Sequence, residues 1–497
     1  MLGTLLVCSL SLSKLTAAPS SILLMDGLVV DGTGKPGRVM DVRVQGTRIL
    51  EVGQLKPRPN EKQINAKGLV VSPGFIDSHS HTDGSLSNDP RMESQIRQGI
   101  TTAIVGQDGG SALPITDLFA KVASVKPTLN FATFVGHGTI RRRVMGENFK
   151  RAATDREVDR MVELVDAAMR QGSLGLSSGL EYEAGLQSTT FEVIRLSKVA
   201  ARHGGIYVSH TRSDGGGSNM QSLEELKLIA KAANIPAQNS HIKLAVPDVW
   251  GHAPAVLKWF KEARNSGLDL TADVYPYTYW ASTITVLLGE EHWGKAQAWE
   301  TTFKELGGAD KVVLARYTPS PEWERKDFAQ LSKETGRPAG ELAVEVVKKT
   351  HTPGSKESEG IICKAMKEQD LVDFIRDPHT MFCSDGSHGG THPRGAGAFP
   401  RIFGVYVRDK RVLSLQEAVR KSTSLPATRF GFKDRGLIRK GYFADLVVFN
   451  LAKIRDRSTV ANSKEFAEGV SYVMVNGQLV LDQGKMTAAR PGVGIRR

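Results

Sequence analysis

Histidines and aspartates in this chain stand at the ends of short apolar runs. His79 and His81 close PGFIDSHSH (Pro73 to His81), and Asp108 closes TTAIVGQDG (Thr101 to Gly109). His210 follows the run Ile206 to Ser209, His241 follows Ala237 to Ser240, and Asp385 lies in TMFCSDG (Thr380 to Gly386). Two histidines at i, i+2 on a strand share one face, so His79 and His81 can reach the same ion. Imidazole and carboxylate donors suit Zn²⁺. Such a metal lowers the pKa of bound water towards ~7 and polarises a carbonyl oxygen. A carboxylate beside it can take the water proton and pass it to a leaving nitrogen; Asp385 is the candidate for that carboxylate. A lone histidine such as His137, His203 or His252 is more often a satisfied core or loop residue. The joint placement of His79, His81, His210, His241 and Asp385 is what argues for a metal. There is no G-x-S-x-G elbow, which speaks against a serine mechanism.

Something must hold these residues at one place, and the chain supplies an alternation of β-like runs and helical patterns. Thr154 and Glu157 form a T-x-x-E capping box, after which Val158, Met161, Val162, Val165, Ala168 and Met169 recur at helical spacing until Gly172. A strand follows at Leu174 to Ser177. Further helix–strand units end in the strands Ile206 to Ser209, Ala237 to Ser240 and Leu268 to Val274. With the runs at 73–81, 101–109, 131–138 and 380–386, eight strands alternate with helices, which predicts an α/β fold of the (β/α)8 TIM-barrel type. Such barrels carry their active sites at the carboxyl ends of the strands, where the residues above fall.

Residues 19–72 and 436–497 flank this region, 73–435, with short β-like segments and Gly and Asp turns, and predict one small β-sandwich built from both termini. The stretch from about 288 to 370 is too long for a βα loop and predicts a small insert with helical pieces between strands 7 and 8.

Composition is that of an ordinary globular enzyme, 40% apolar and 24% charged, with a net charge of +12. The excess positive charge gives a basic surface and would steer an anionic substrate. Nucleic-acid binding would want basic clusters interleaved with stacking aromatics, and the one tight cluster, Arg141 to Arg143, has no such motif around it. Leu2 to Leu12 is an apolar run too short to span a bilayer, followed by small residues at Thr16 to Ala18; segment 1–18 predicts a cleavable signal peptide and export.

These residues also resemble a known family. PGFIDSHSH is similar to the strand-1 signature of the metal-dependent amidohydrolase superfamily. VGHGTIR (135–141), GLSSGLEYEAG (175–185), SHTR (209–212), SHIK (240–243), CSDG (383–386) and THPRGAGAFPRIFG (391–404) resemble, in order, blocks of its N-acyl-D-amino-acid deacylase (D-aminoacylase) branch. The resemblance runs from about residue 22 to 490. It implies one tightly bound zinc on His210 and His241, with His79 and His81 at a neighbouring, weaker metal position, and Asp385 as general acid/base. It also implies that Tyr182, Lys243 and Arg394 bind the carboxylate of a small anionic N-acyl amino acid. One position departs from the pattern. The branch commonly has Asn-Cys-Gly after strand 2, with Cys as a ligand, where this chain has Gln107-Asp108-Gly109. A carboxylate can take that place as a harder ligand. A cyclic-amide hydrolase or a dipeptidase is the alternative, but strand 4, Leu174 to Ser178, lacks the lysine that cyclic-amide hydrolases carboxylate. A non-catalytic binding protein would have shed Asp385 or a histidine. The acyl group, the amino-acid side chain and the oligomeric state stay open at this point.

Overall fold

The computed structural model describes residues 21–215 and 218–497. The expected signal segment, 1–18, lies outside the described residues. No helix among those described is long and apolar enough to cross a membrane.

Eight short strands carry the central α/β unit, and we number them β1 (Phe75–Asp77), β2 (Ile100–Val105), β3 (Asn130–Thr133, continuing in Val135–Gly136), β4 (Gly175–Gly179), β5 (Ile206–His210), β6 (Ala237–Asn239), β7 (Leu270–Val274) and β8 (Thr380–Phe382). All pair in parallel, β1 with β2 and β3 in one sheet, and the continuation of β3 with β4, β5, β6, β7 and β8 in a second. The run through β3 joins the two sheets, and a parallel bridge from Ser80 to Gly386 brings β8 back to β1. The arrangement is TIM-barrel-like. Side chains alternate along the strands. Phe75, Ala103, Val105 and Phe131 pack outward with the helices, while Ile76, Ile104, Ala132, Phe134, Ile206 and Val208 gather with Ala427 and Phe430.

Helices cover the outside for legible reasons. In Asp155–Arg170 both halves of the capping box form, and Val158, Met161, Val165, Ala168 and Met169 are buried on one stripe. The termini meet in one sheet of nine strands, in which Leu446–Phe449 pairs antiparallel with Val70–Pro73. Its mixed character was not expected: Ile22–Val29 runs parallel to both Lys62–Asn65 and Val70–Pro73. Between β7 and β8 the added subdomain contains more than helices. Trp280–Ser282, Val312–Tyr317 and Glu359–Cys363 form an antiparallel sheet whose first strand precedes the expected start at 288.

Candidate metal centre

Hydrogen bonds between strand ends set the register of the site. The Asp77 carboxylate accepts from the Ser384 amide at 2.7 Å and the Ser384 hydroxyl at 2.5 Å, which pins β1 to β8. The Asp385 amide then donates to the His79 carbonyl at 2.9 Å, and the His81 amide to that of Gly386 at 2.9 Å. Asp273, at the end of β7, accepts from the His241 amide at 2.5 Å, Gln238 at 2.6 Å and Ser78 at 3.0 Å. Asp108, His241 and Asp385 all have left-handed backbones, with φ of 52°, 37° and 47°. That geometry costs of order 1 kcal/mol or more per residue and persists only where the surroundings enforce it. Below Asp108 the enforcement is backbone against backbone. A Cβ on Gly136 would stand 2.4 Å from the Gly109 carbonyl, and one on Gly179 2.4 Å from that of Asp108.

The predicted donors come together around Asp108. Its Oδ2 lies 3.3 Å from Nε2 of His79 and 3.3 Å from Nε2 of His81. Its Oδ1 lies 3.4 Å from Nε2 of His241 and 4.0 Å from Nδ1 of His210. Asp385 Oδ1 completes the first group, 3.6 Å from His79 and 3.3 Å from His81. His210 Nδ1 and His241 Nε2 face each other at 2.9 Å. One carboxylate therefore stands between two donor groups, with one oxygen toward each.

The donor set fits a divalent cation. Both ring nitrogens of His79 and Oδ1 of Asp108 are buried without a hydrogen-bond partner among the described residues. Ligand atoms of His79, His81, Asp108 and Asp385 lie within 4.8 Å of one another, as do those of Asp108, His210 and His241. The cluster is also short of positive charge. Burial alone would push the His81 imidazole down, yet Asp108 and Asp385 outweigh it and raise it to about 10. His79 and His210 are raised in the same sense, against burial, by Asp108 and by Glu181 respectively. His241 goes the other way, to about 4, because burial and then the Lys243 ammonium disfavour its charge. An imidazole held neutral is a ready ligand. Burial opposes ionisation of Asp385, but the Arg394 guanidinium, first among its charged neighbours, outweighs it and holds its carboxyl well below the usual range.

Tyr182, Lys243 and Arg394 line the same cavity, of about 1340 Å³, as His81, Asp108, His210, His241 and Asp385. Arg394 Nη1 lies 2.6 Å from Asp385 Oδ2, Lys243 lies 2.5 Å from Asp214 and 2.8 Å from His241 Nδ1, and the Tyr182 ring lies 4.5 Å from that of His210. The loop between Asp385 and Arg394 is tied down by His388, whose ring nitrogens sit 2.8 Å from Ser94 Oγ and 2.9 Å from Asp89.

Sequence reasoning passed over four acids here: Asp77, Glu181, Asp214 and Asp273. Glu181 Oε2 lies 2.7 Å from His210 Nε2 and so orients that ring from behind. Asp273 closes a strand that had been recognised, and its position alone could have marked it. His137 follows the end of β3, starts the helix His137–Met145 and, as a lone histidine of the core, pairs with Glu192 at 2.7 Å. The same Glu192 pairs with the fully buried Arg141.

Known proteins resemble this chain over nearly its whole length. The sequence profile described as the Amidohydrolase family matches residues 62–283 and 375–481. The chain is 32% identical to the D-aminoacylase of Alcaligenes xylosoxydans xylosoxydans, over 97% of this chain and 98% of the relative. It is 31% identical to the N-acyl-D-aspartate deacylase of the same organism, over 96% and 95%. The crystal structure of the N-acyl-D-glutamate deacylase from Bordetella bronchiseptica, complexed with zinc and a phosphonate inhibitor, superposes with a TM-score of 0.85 at 30% identity, covering 96% of this chain and 99% of that one.

Proposed function

The chain belongs to the amidohydrolase family, and from that premise we propose that it is a zinc-dependent hydrolase that cleaves N-acyl-D-amino acids to a carboxylate and a free D-amino acid. The observation that carries this reading is the convergence on Asp108 of four histidines and Asp385 in a cavity that also holds Lys243 and Arg394. The relatives named above act on this class of substrate, and one of them holds zinc.

Each residue then has a task. His210, His241 and Asp108 would hold one zinc, and His79 and His81 would share Asp108 at a second, weaker position. When bound, the metal lowers the pKa of water towards ~7 and polarises the scissile carbonyl. Asp385 is ionised, so it can take a proton from water and deliver it to the departing nitrogen. Arg394, at 2.6 Å, holds that carboxylate in place. Arg394 and Lys243 are the cations available to the substrate's α-carboxylate, and the Tyr182 hydroxyl can donate a further hydrogen bond. A cyclic-amide hydrolase finds less support, because β4, Gly175–Gly179, presents no lysine.

The reading takes the eight strands as a closed (β/α)8 barrel, supported by the Ser80–Gly386 bridge. It takes residues 19–72 and 436–497 as a β-sandwich around the core of Leu24, Val42, Ile64, Val71, Leu446 and Met474. It takes segment 1–18 as a signal peptide for export, which N-terminal sequencing of the mature protein would test.

The clamp on the α-carboxylate is open to a direct test. An N-acetyl-D-amino amide should be a far poorer substrate than the free acid, because each lost charge-assisted hydrogen bond costs ~1.5–3 kcal/mol. Equal kcat/KM for acid and amide would reject the clamp.

A further inference from the structure

Identities of 32%, 31% and 30% to a D-aminoacylase, an N-acyl-D-aspartate deacylase and an N-acyl-D-glutamate deacylase do not say which side chain this enzyme takes. The cavity does. Resting on the proposed deacylase activity, we infer that the substrate is the N-acyl derivative of a D-amino acid with a neutral, apolar side chain, and that derivatives of D-glutamate and D-aspartate are rejected.

Among the described residues that line the cavity, the lysines and arginines are Lys243 and Arg394. Each already has an acidic partner, Asp214 at 2.5 Å and Asp385 at 2.6 Å. The α-carboxylate of the substrate draws on both. A substrate with a second carboxylate would need a third cation, and the lining offers none beyond the histidines of the metal cluster.

Away from that cluster the lining is acidic instead. Asp248 and Glu305 belong to it. So does Glu359, whose side chain is fully buried. Its Oε1 accepts from the Ile284 amide at 2.9 Å and faces His351 Nε2 at 2.9 Å, while its Oε2 has no hydrogen-bond partner among the described residues. A carboxylate entering this region would lose its water without gaining a partner, and it would face like charges.

Besides Ser282, Thr283 and Thr302, that wall carries the apolar side chains of Trp280, Val286, Leu287, Leu306 and Ile361. All five come from the subdomain between β7 and β8. Four of them, Val286, Leu287, Leu306 and Ile361, fall in the stretch 284–374, which the family profile leaves unmatched. The surface that would meet a variable part of the substrate is therefore supplied largely by a stretch that lies outside the family profile. Its volume, about 1340 Å³, exceeds the ~300–1,000 Å³ usual for a small-molecule pocket, so apolar bulk is accommodated.

The test is a panel of N-acetyl-D-alanine, -D-leucine, -D-phenylalanine, -D-glutamate and -D-aspartate, assayed with the zinc-loaded full chain. Each buried CH₂ should gain about fourfold, so kcat/KM should climb from D-alanine to D-leucine and D-phenylalanine. The two acidic substrates should fall below D-leucine by on the order of 10²-fold, chiefly through KM. Glu305→Lys, an exposed exchange, should raise kcat/KM for N-acetyl-D-glutamate by about tenfold relative to N-acetyl-D-leucine. The inference is overturned if either acidic substrate matches D-leucine, or if the Glu305→Lys ratio stays at the wild-type value. A panel in which no member is hydrolysed defeats the deacylase reading itself and the inference with it. That result is distinct from a panel hydrolysed in the wrong order.

Discussion

Asp108 is the side chain on which the centre turns. Its two oxygens face different imidazole pairs at 3.3 to 4.0 Å, and Oδ1 is buried without a hydrogen-bond partner among the described residues. A residue that only capped its loop through backbone amides would not be placed so. Asp108→Ala should therefore lose zinc, whereas Asp108→Cys should keep it, since thiolate is a good zinc ligand. Zinc per chain after dialysis decides this, and full occupancy in Asp108→Ala would defeat the assignment. Asp385→Asn should fold, retain metal and lose ~10²–10⁴-fold in turnover, because the proton carrier is gone while the shape stays. Near-wild-type turnover in the metal-replete variant would remove Asp385 from that role. These residues were legible because strand-end position and donor chemistry coincide in the sequence. Glu181 and Asp214 were not, since nothing local distinguishes an acid that reaches a histidine or lysine of the site from one that faces solvent.

Elements were legible where the signal is local. The helix Asp155–Arg170 carries its start signal at Thr154 and Glu157 and its stop near Gly172, and the structure shows both halves of the cap. Thr154→Ala should cost ~1 kcal/mol of stability without changing kcat/KM, because the cap lies on an exposed helix end. Denaturant unfolding beside an activity assay checks both halves. The insert was harder to read. Val312–Tyr317 meets Glu359–Cys363 across some forty residues, and Trp280–Ser282 is more distant still, so the pairing leaves no short-range turn signal. The same holds for the terminal sheet, where the parallel partners of Ile22–Val29 lie some forty residues away in sequence.

At the scale of the whole molecule, the terminal sheet brings its own pH dependence. Glu61 is buried against Arg43 at 2.7 Å. Burial alone would raise its carboxyl, but hydrogen bonds from Arg43, Ser21 and the Arg58 amide hold it at about 2, against a usual 4.5. A carboxyl depressed in the folded state contributes its stability above pH 4.5 and loses it as pH falls towards 2. The wild-type melting temperature should thus fall more steeply across that window than that of Glu61→Gln, and equal slopes would contradict the assignment.

The barrel-like order itself follows from the alternation of strands and helices. The substrate cavity does not, because it is made where strand ends meet a subdomain whose fold the sequence conceals. The central claim, that this centre uses zinc to hydrolyse an N-acyl-D-amino acid, is met most directly by titrating zinc into metal-stripped protein. Hydrolysis of N-acetyl-D-leucine and of its L enantiomer would be followed alongside metal content. The account predicts no turnover without metal, activity that rises with bound zinc to a plateau, and clear preference for the D form. Full turnover in the stripped protein, or equal rates on the two enantiomers, would contradict it.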